Sequence, residues 1–172
     1  MIAIRLATPD DLPAIEEVMR ASMAAIGARY YDAQQTASAV THIAVADRQL
    51  IDDGTYFVVT EGDRVVACGG WSPRKKLFTG TTAEAAAEGM LDPATDAARV
   101  RAMFVHPDYA RRGLGRMILD ASEQAARRAG FTRFELMATL PGVPLYEACG
   151  YEVVERVTNE LPDGTMLETV RM

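Results

Sequence analysis

Residues able to do chemistry cluster in two short segments of this sequence. The first, VRAMFVHPDYARRGLGR at residues 100–116, reads as a strand that runs through a Pro-containing turn into a basic, Gly-interrupted loop and opens a helix. The first amides of a helix lack partners and sit at the positive end of its dipole, so they bind phosphate-like anions. Glycines at 113 and 115 let the backbone approach a ligand closely, and neighbouring arginines add charge-assisted bonds. No GxxxxGK[ST] occurs, which excludes a P-loop. A third glycine three residues on and a parallel βαβ context are also missing, which excludes the dinucleotide fingerprint. The second segment, PLYEACGY at residues 144–151, offers Tyr146. A phenol of pKa ~10 stays protonated at neutral pH and can act as a general acid.

Charge is divided in the same way. The chain of 172 residues has 18 basic and 24 acidic side chains and a net charge of −6, which argues against general nucleic-acid binding. Between Arg99 and Arg133, however, eight arginines face three acids; that window is +5 and the remainder −11. The basic window suits an anion, and the acidic remainder favours a cationic amine by long-range attraction.

The length corresponds to one domain over residues 1–172, large enough for an apolar core without disulfides or structural metal. Apolar runs are too short to span a bilayer, and the start MIAIRLATPDD is not a signal peptide. Cys68 and Cys149 form no CxxC pair, and only His42 and His106 accompany them, so no metal site is expected. These features point to a reduced, cytoplasmic protein.

The elements that must position the two segments follow from periodicity. A first strand at 2–6 leads to a helix capped by Asp10, with Pro13 in its first turn, running to about Ala25. A second helix is expected over 33–50, before the turn Asp52-Asp53-Gly54. Strands at 55–60 and 64–71 form a hairpin around Gly62, a short helix fits 83–90, and a strand fits 98–105. The helix after Gly113 has Leu114, Met117, Ile118, Ala121 and Ala125 on one face and is closed by Gly130. A strand at 131–138, a short helix at 143–148, and strands at 151–159 and 166–171 complete the chain. The class is α/β: one mixed, largely antiparallel sheet flanked by helices, in the order β-α-α-β-β-β-α-β-α-β-β.

The segment VRAMFVHPDYARRGLGRMIL resembles motif A of the GNAT superfamily of acyl-CoA-dependent N-acyltransferases. Residues 144–151 resemble its motif B, often written Tyr-Glu-x-x-Gly-Phe, and the order and spacing of elements match over nearly the whole chain. The resemblance implies the GNAT fold and an N-acetyltransferase. Such an enzyme moves an acetyl group from acetyl-CoA, as co-substrate, to a primary amine of a small molecule or peptide. Transfer is by direct attack in a ternary complex, without metal. It implies that the backbone of Met103, Phe104 and Val105 pairs with the pantetheine arm. The pyrophosphate then lies on the amides of Arg111, Arg112, Gly113, Leu114 and Gly115, beside Arg116. Tyr146 matches the general acid toward the departing thiolate. Two departures stand out: Ala110 replaces the Arg or Gln that usually starts the loop, and 139–142 lacks the family's Asn.

In that fold the acceptor groove lies between the first two helices and the far side of the sheet, which suggests Tyr30, Tyr31, Trp71 and residues 73–97. A general base is left open among Glu84, Glu88, Asp92, Asp96, Glu135 and a water relay. His42 and His106 read as structural, and Cys149 as a small apolar residue. An acyl-CoA-binding sensor without turnover is the alternative. An oxygen acceptor or a longer acyl group also fits the motifs. Nucleic acid and membrane are not expected partners, while homodimers are common in the family.

Overall fold

The computed structural model describes residues 1–79 and 88–172. Strand β1 (Ile2–Leu6) pairs antiparallel with β2 (Tyr56–Glu61), which forms the expected hairpin with β3 (Arg64–Ser72). Strand β4 (Ala98–Val105) continues the antiparallel order beside β3, and β5 (Phe134–Glu135) adds a parallel edge. A second antiparallel ladder has the order β6 (Met137–Thr139), β8 (Met166–Arg171), β7 (Glu155–Glu160).

The mixed, largely antiparallel sheet thus divides into two ladders, and the expected strand at 131–138 divides with it. Phe131 is buried ahead of the ladder, against Trp71. Phe134 and Glu135 then pair with Ala98 and Arg99. Leu136 turns away and exchanges both backbone bonds with Met172, at 2.9 Å each. Beyond Arg99, β4 therefore has β3 on one edge and an open cleft on the other.

Helix α1 (Leu12–Ala25) ends where expected but starts differently. Pro9–Asp11 make a 3-10 turn, so Asp11 reaches back to the Thr8 amide (2.8 Å) while Asp10 stays exposed. The single helix expected over 33–50 is two, α2 (Ala33–His42) and α3 (Arg48–Asp52). Past His42 the coil widens: the Ala44 amide bonds to Ala39, five residues back, and Asp47 then caps Gln49 (3.1 Å). The short helix expected at 83–90 falls mostly on residues 80–87, outside the described ones. Of its end, Met90 forms a β-bridge with Arg74.

Helix α4 (Leu114–Arg128) follows Gly113 and buries Leu114, Ile118, Leu119, Ser122 and Ala126 against the sheet. Helix α5 (Val143–Ala148) is where the sequence places it. Strand β7 starts at Glu155 rather than 151 because Tyr151 is held at the end of α5. Its amide bonds to Tyr146 O (3.0 Å) and its hydroxyl to Glu123 (2.9 Å). Ile15, Met19, Leu50, Val58 and Leu167 form the core on one face of the sheet. Val59, Val66, Leu114 and Ile118 form another. Among the described residues no helix is long and apolar enough to cross a membrane.

Candidate functional site

Two cavities flank the divergence of β4 from β6. One, about 150 Å³, lies toward α4 and is lined by Met103, Phe104, Val105, Gly115 and Leu145, with the end of α1 across from them. The other, about 70 Å³, lies toward the connection between α2 and α3 and is lined by Ile43, Val45, Phe78, Arg101 and Leu136 among others. Met103, Phe104, Thr139 and Tyr146 line both. The structure therefore brings the two chemical segments of the sequence together at one cleft.

The basic loop has the backbone of an anion cradle. Arg111 and Gly113 are left-handed (φ 66° and 81°), and α4 begins directly after them. The first amide in this region to donate within the helix is that of Met117, to Gly113 O at 3.0 Å. Among the described residues, none accepts from the amides of residues 111–116. Tyr109 anchors the loop from behind: its hydroxyl donates to Glu61, and the Arg112 guanidinium lies 4.8 Å from its ring centroid. Gly115 packs closely under Leu145, whose Cδ2 a Cβ there would meet at 2.8 Å. Arg111, Arg112 and Arg116 are exposed around the loop.

Strand β4 is bulged where it lines the cleft. Its register against β3 shifts between Cys68 and Gly70, and Ala102 takes φ 50°, which costs a non-Gly residue ~1–2 kcal/mol. Tyr56, two strands away, holds the bulge: its buried hydroxyl donates to Ala102 O at 2.7 Å. The ring crosses over Gly70, where a Cβ would meet Thr55 O at 2.2 Å and Tyr56 Cδ2 at 3.0 Å. Gly69 makes room for Met103 in the same way, at 2.6 Å.

Tyr146 stands where the cavities meet. It is buried, its ring is edge-on to Tyr151 at 5.9 Å, and Gly142 leaves space for it (a Cβ would meet Cε2 at 2.9 Å). Burial pushes its phenol well above the ordinary value, so it stays protonated over the whole working pH range.

Other candidates lie elsewhere. Tyr31 is buried as a structural bridge, its hydroxyl donating to Glu168 O (2.7 Å) and accepting from the Leu140 amide (2.9 Å). Trp71 packs with Leu91, Ala98, Ala126 and Phe131. Tyr30 is exposed, and none of the three lines either cavity. Of the carboxylates considered as bases, Glu135 is paired with Arg99 and Arg171, and Asp92 and Asp96 bond within their own turn. Glu88 is exposed in a charged hollow with Asp47, Arg74 and Lys76, which adjoins the second cavity at Arg101, and Glu84 lies outside the described residues. His106 caps the turn at 107–109 through Asp108 N (3.2 Å) and contacts Arg64. His42 lies 3.7 Å from Asp163. Burial raises the Cys149 thiol. Tyr56, Arg101 and Gly142 belong to the site's construction and carry no local sequence signal. The adjacent glycines at 69 and 70 in a strand were the only available hint of a bulge.

The acetyltransferase (GNAT) family model matches residues 19–151. A GCN5-related N-acetyltransferase from Rhodopseudomonas palustris is similar in fold, with 21% identity over 99% of this chain and 92% of that one and a TM-score of 0.75. The PaiA N-acetyltransferase of Thermoplasma acidophilum, solved with coenzyme A, has 13% identity, covers 100% and 99% of the two chains, and scores 0.63. The ribosomal-protein-S18-alanine N-acetyltransferase of Escherichia coli has 17% identity, covers 100% and 92%, and scores 0.60. No curated protein sequence matches the chain.

Proposed function

The chain belongs to the acetyltransferase (GNAT) family, and on that premise we propose that it is an acetyl-CoA-dependent N-acetyltransferase acting by direct transfer to a primary amine of a small molecule or peptide. The observation that carries this reading is the placement of Tyr146 at the junction of two cavities, one of which is bordered by Gly115 in the first turn of α4. The residues fit the donor. Amides 111–116 and their arginines offer a pyrophosphate cradle, and the unpaired edge of β4 at Met103, Phe104 and Val105 offers backbone partners to an amide-bearing arm. The thioester supplies an activated acetyl carbon and a thiolate leaving group. Tyr146 holds a proton for that sulfur, and the buried ring keeps the phenol from ionising. The Ala110 departure is tolerated in this reading because backbone amides do most of the holding. Two free thiols, Cys68 and Cys149, fit work in the reducing cytoplasm.

The test is thiol release from acetyl-CoA over a panel of amines. Acceptor-dependent release is expected, and Tyr146→Phe should lower kcat by ~10²- to 10³-fold while leaving acetyl-CoA affinity within about threefold. A protein that binds acetyl-CoA and releases no thiol with any amine is a sensor and not an enzyme. Equal losses of turnover and affinity in the variant would make the ring structural.

A further inference from the structure

We infer that the acceptor is a compact aliphatic amine that also carries a carboxylate, a small apolar amino acid, and that Arg101 reads the carboxylate. The inference rests on the acetyl-transfer reading above and concerns the second cavity. Among the described residues lining that cavity, Arg101 is the only charged side chain; the rest are mainly apolar, with Ile43, Val45, Leu77, Phe78 and Leu136 prominent. The guanidinium is 3% exposed. Its Nη2 donates to Asp47 (2.9 Å) and Thr79 (2.8 Å), and Nη1 makes one long bond of 3.5 Å to Lys76 O. Two of its five N–H bonds have no partner among the described residues. The Asp47 oxygen that takes Arg101 also takes the Lys76 ammonium, at 3.3 Å. One carboxylate thus serves two cations, one of them buried in the cavity wall.

Such a wall repels a polyamine and attracts an anion. An acceptor ammonium there faces a guanidinium in apolar surroundings, and both effects favour the neutral amine that attack requires. This gives a physical role to a site in which none of the carboxylates considered as bases, among the described residues, lines the cavity. A carboxylate on the acceptor takes up the two N–H bonds that Arg101 leaves without a partner, and the aliphatic lining covers its body. The cavity is small, about 70 Å³, and its walls are mainly aliphatic and aromatic, which suits a short apolar body. The acidic remainder, which favours a cationic amine at long range, contributes no carboxylate to the described wall of this cavity.

Matched pairs decide the matter: L-valine against isobutylamine and L-leucine against isoamylamine, with spermidine as the polycation, assayed by thiol release. Wild type should prefer each amino acid over its decarboxylated partner by at least ~10-fold in kcat/KM, the scale of one charge-assisted hydrogen bond. Arg101→Met should bring that ratio near one, and Arg101→Lys, which keeps the charge and a smaller donor set, should retain part of it. Binding of N-acetyl-L-leucine by calorimetry gives a second measure: it should weaken in Arg101→Met while acetyl-CoA affinity holds. The inference is overturned if the decarboxylated amines or spermidine are used as well as the amino acids; acetyl transfer then stands and this specificity falls. It is equally overturned if Arg101→Met keeps the preference. Release with no amine at all removes both readings.

Discussion

The hydroxyl of Tyr56 touches neither cavity, yet its removal should be felt as a loss of donor affinity. Ala102 is left-handed at φ 50°, a conformation that costs ~1–2 kcal/mol without glycine. The restraint opposing that strain is the 2.7 Å bond from the buried Tyr56 hydroxyl to the half-buried Ala102 O, worth ~1–2 kcal/mol. Strain and restraint are therefore of similar size. Tyr56→Phe keeps the ring over Gly70 and deletes only the bond, so the bulge should relax in most molecules. If about a tenth keep the native edge at Met103, Phe104 and Val105, the apparent affinity for acetyl-CoA falls by that fraction, ~10-fold. KM for acetyl-CoA should rise accordingly with kcat within about twofold, and Tm should drop by roughly 2–8 °C. Ala102→Gly removes the strain itself, so Tyr56→Phe/Ala102→Gly should recover KM to within about threefold. Steady-state kinetics and thermal unfolding on the four proteins of this cycle give the answer. An unchanged KM in Tyr56→Phe, or a double variant no better than the single one, refutes the account.

Gly113→Ala places a Cβ in open space but forces φ 81° on a non-Gly residue, so the loss comes from the backbone alone. Acetyl-CoA affinity measured by calorimetry should fall roughly 10-fold, and Gly113→Asn should do less harm because Asn tolerates left-handed φ. Gly142→Ala puts a methyl 2.9 Å from the Tyr146 ring edge and should displace the hydroxyl, lowering kcat roughly 10-fold or more with acetyl-CoA affinity kept. The Arg5 guanidinium holds the Asp11 carboxyl down at about 2, below its unfolded value near ~3.9. Its contribution to stability is complete above pH ~4 and is lost as pH falls toward 2, so the Tm advantage of wild type over Asp11→Asn should shrink to nothing across that window.

Local signals carried the elements and the two motifs, because each depends on neighbours in the chain. Gly113, Gly130 and the apolar periodicity define α4, but its buried face is turned from the expected one: Met117 is exposed, and Leu119, Ser122 and Ala126 join Leu114 and Ile118 against the sheet. What was not legible depends on partners far away. The break between α2 and α3 is organised by Asp47, which reaches an arginine 54 residues later. The division of the strand at Leu136 requires the C-terminal Met172 as its partner. Tyr31 and Trp71 look like groove aromatics by position, but Tyr31 ties together Leu140 and Glu168, and Trp71 meets Phe131 across the core. Aromatic type says that a side chain will be covered, and only the tertiary structure says by what.

The charge division needs the same correction, and it changes the picture of the site. Of the eight arginines between 99 and 133, Arg99 is paired with Glu135, Arg127 with Glu123, and Arg133 with a backbone carbonyl, while Arg128 is exposed at the far end of α4. Arg111, Arg112 and Arg116 alone surround the amide loop in exposed positions, so the anion cradle rests on three arginines and a row of amides, not on a +5 segment. Arg101 is the exception that matters most. It is counted with the basic motif by its place in the chain, but β4 carries it past the bulge at Ala102 into the wall of the other cavity. A run of residues in one strand thus borders two cavities, with the bulge held by Tyr56 between Arg101 and Met103. Donor affinity should therefore follow Tyr56 and Gly113, and acceptor choice should follow Arg101, with Tyr146 common to both.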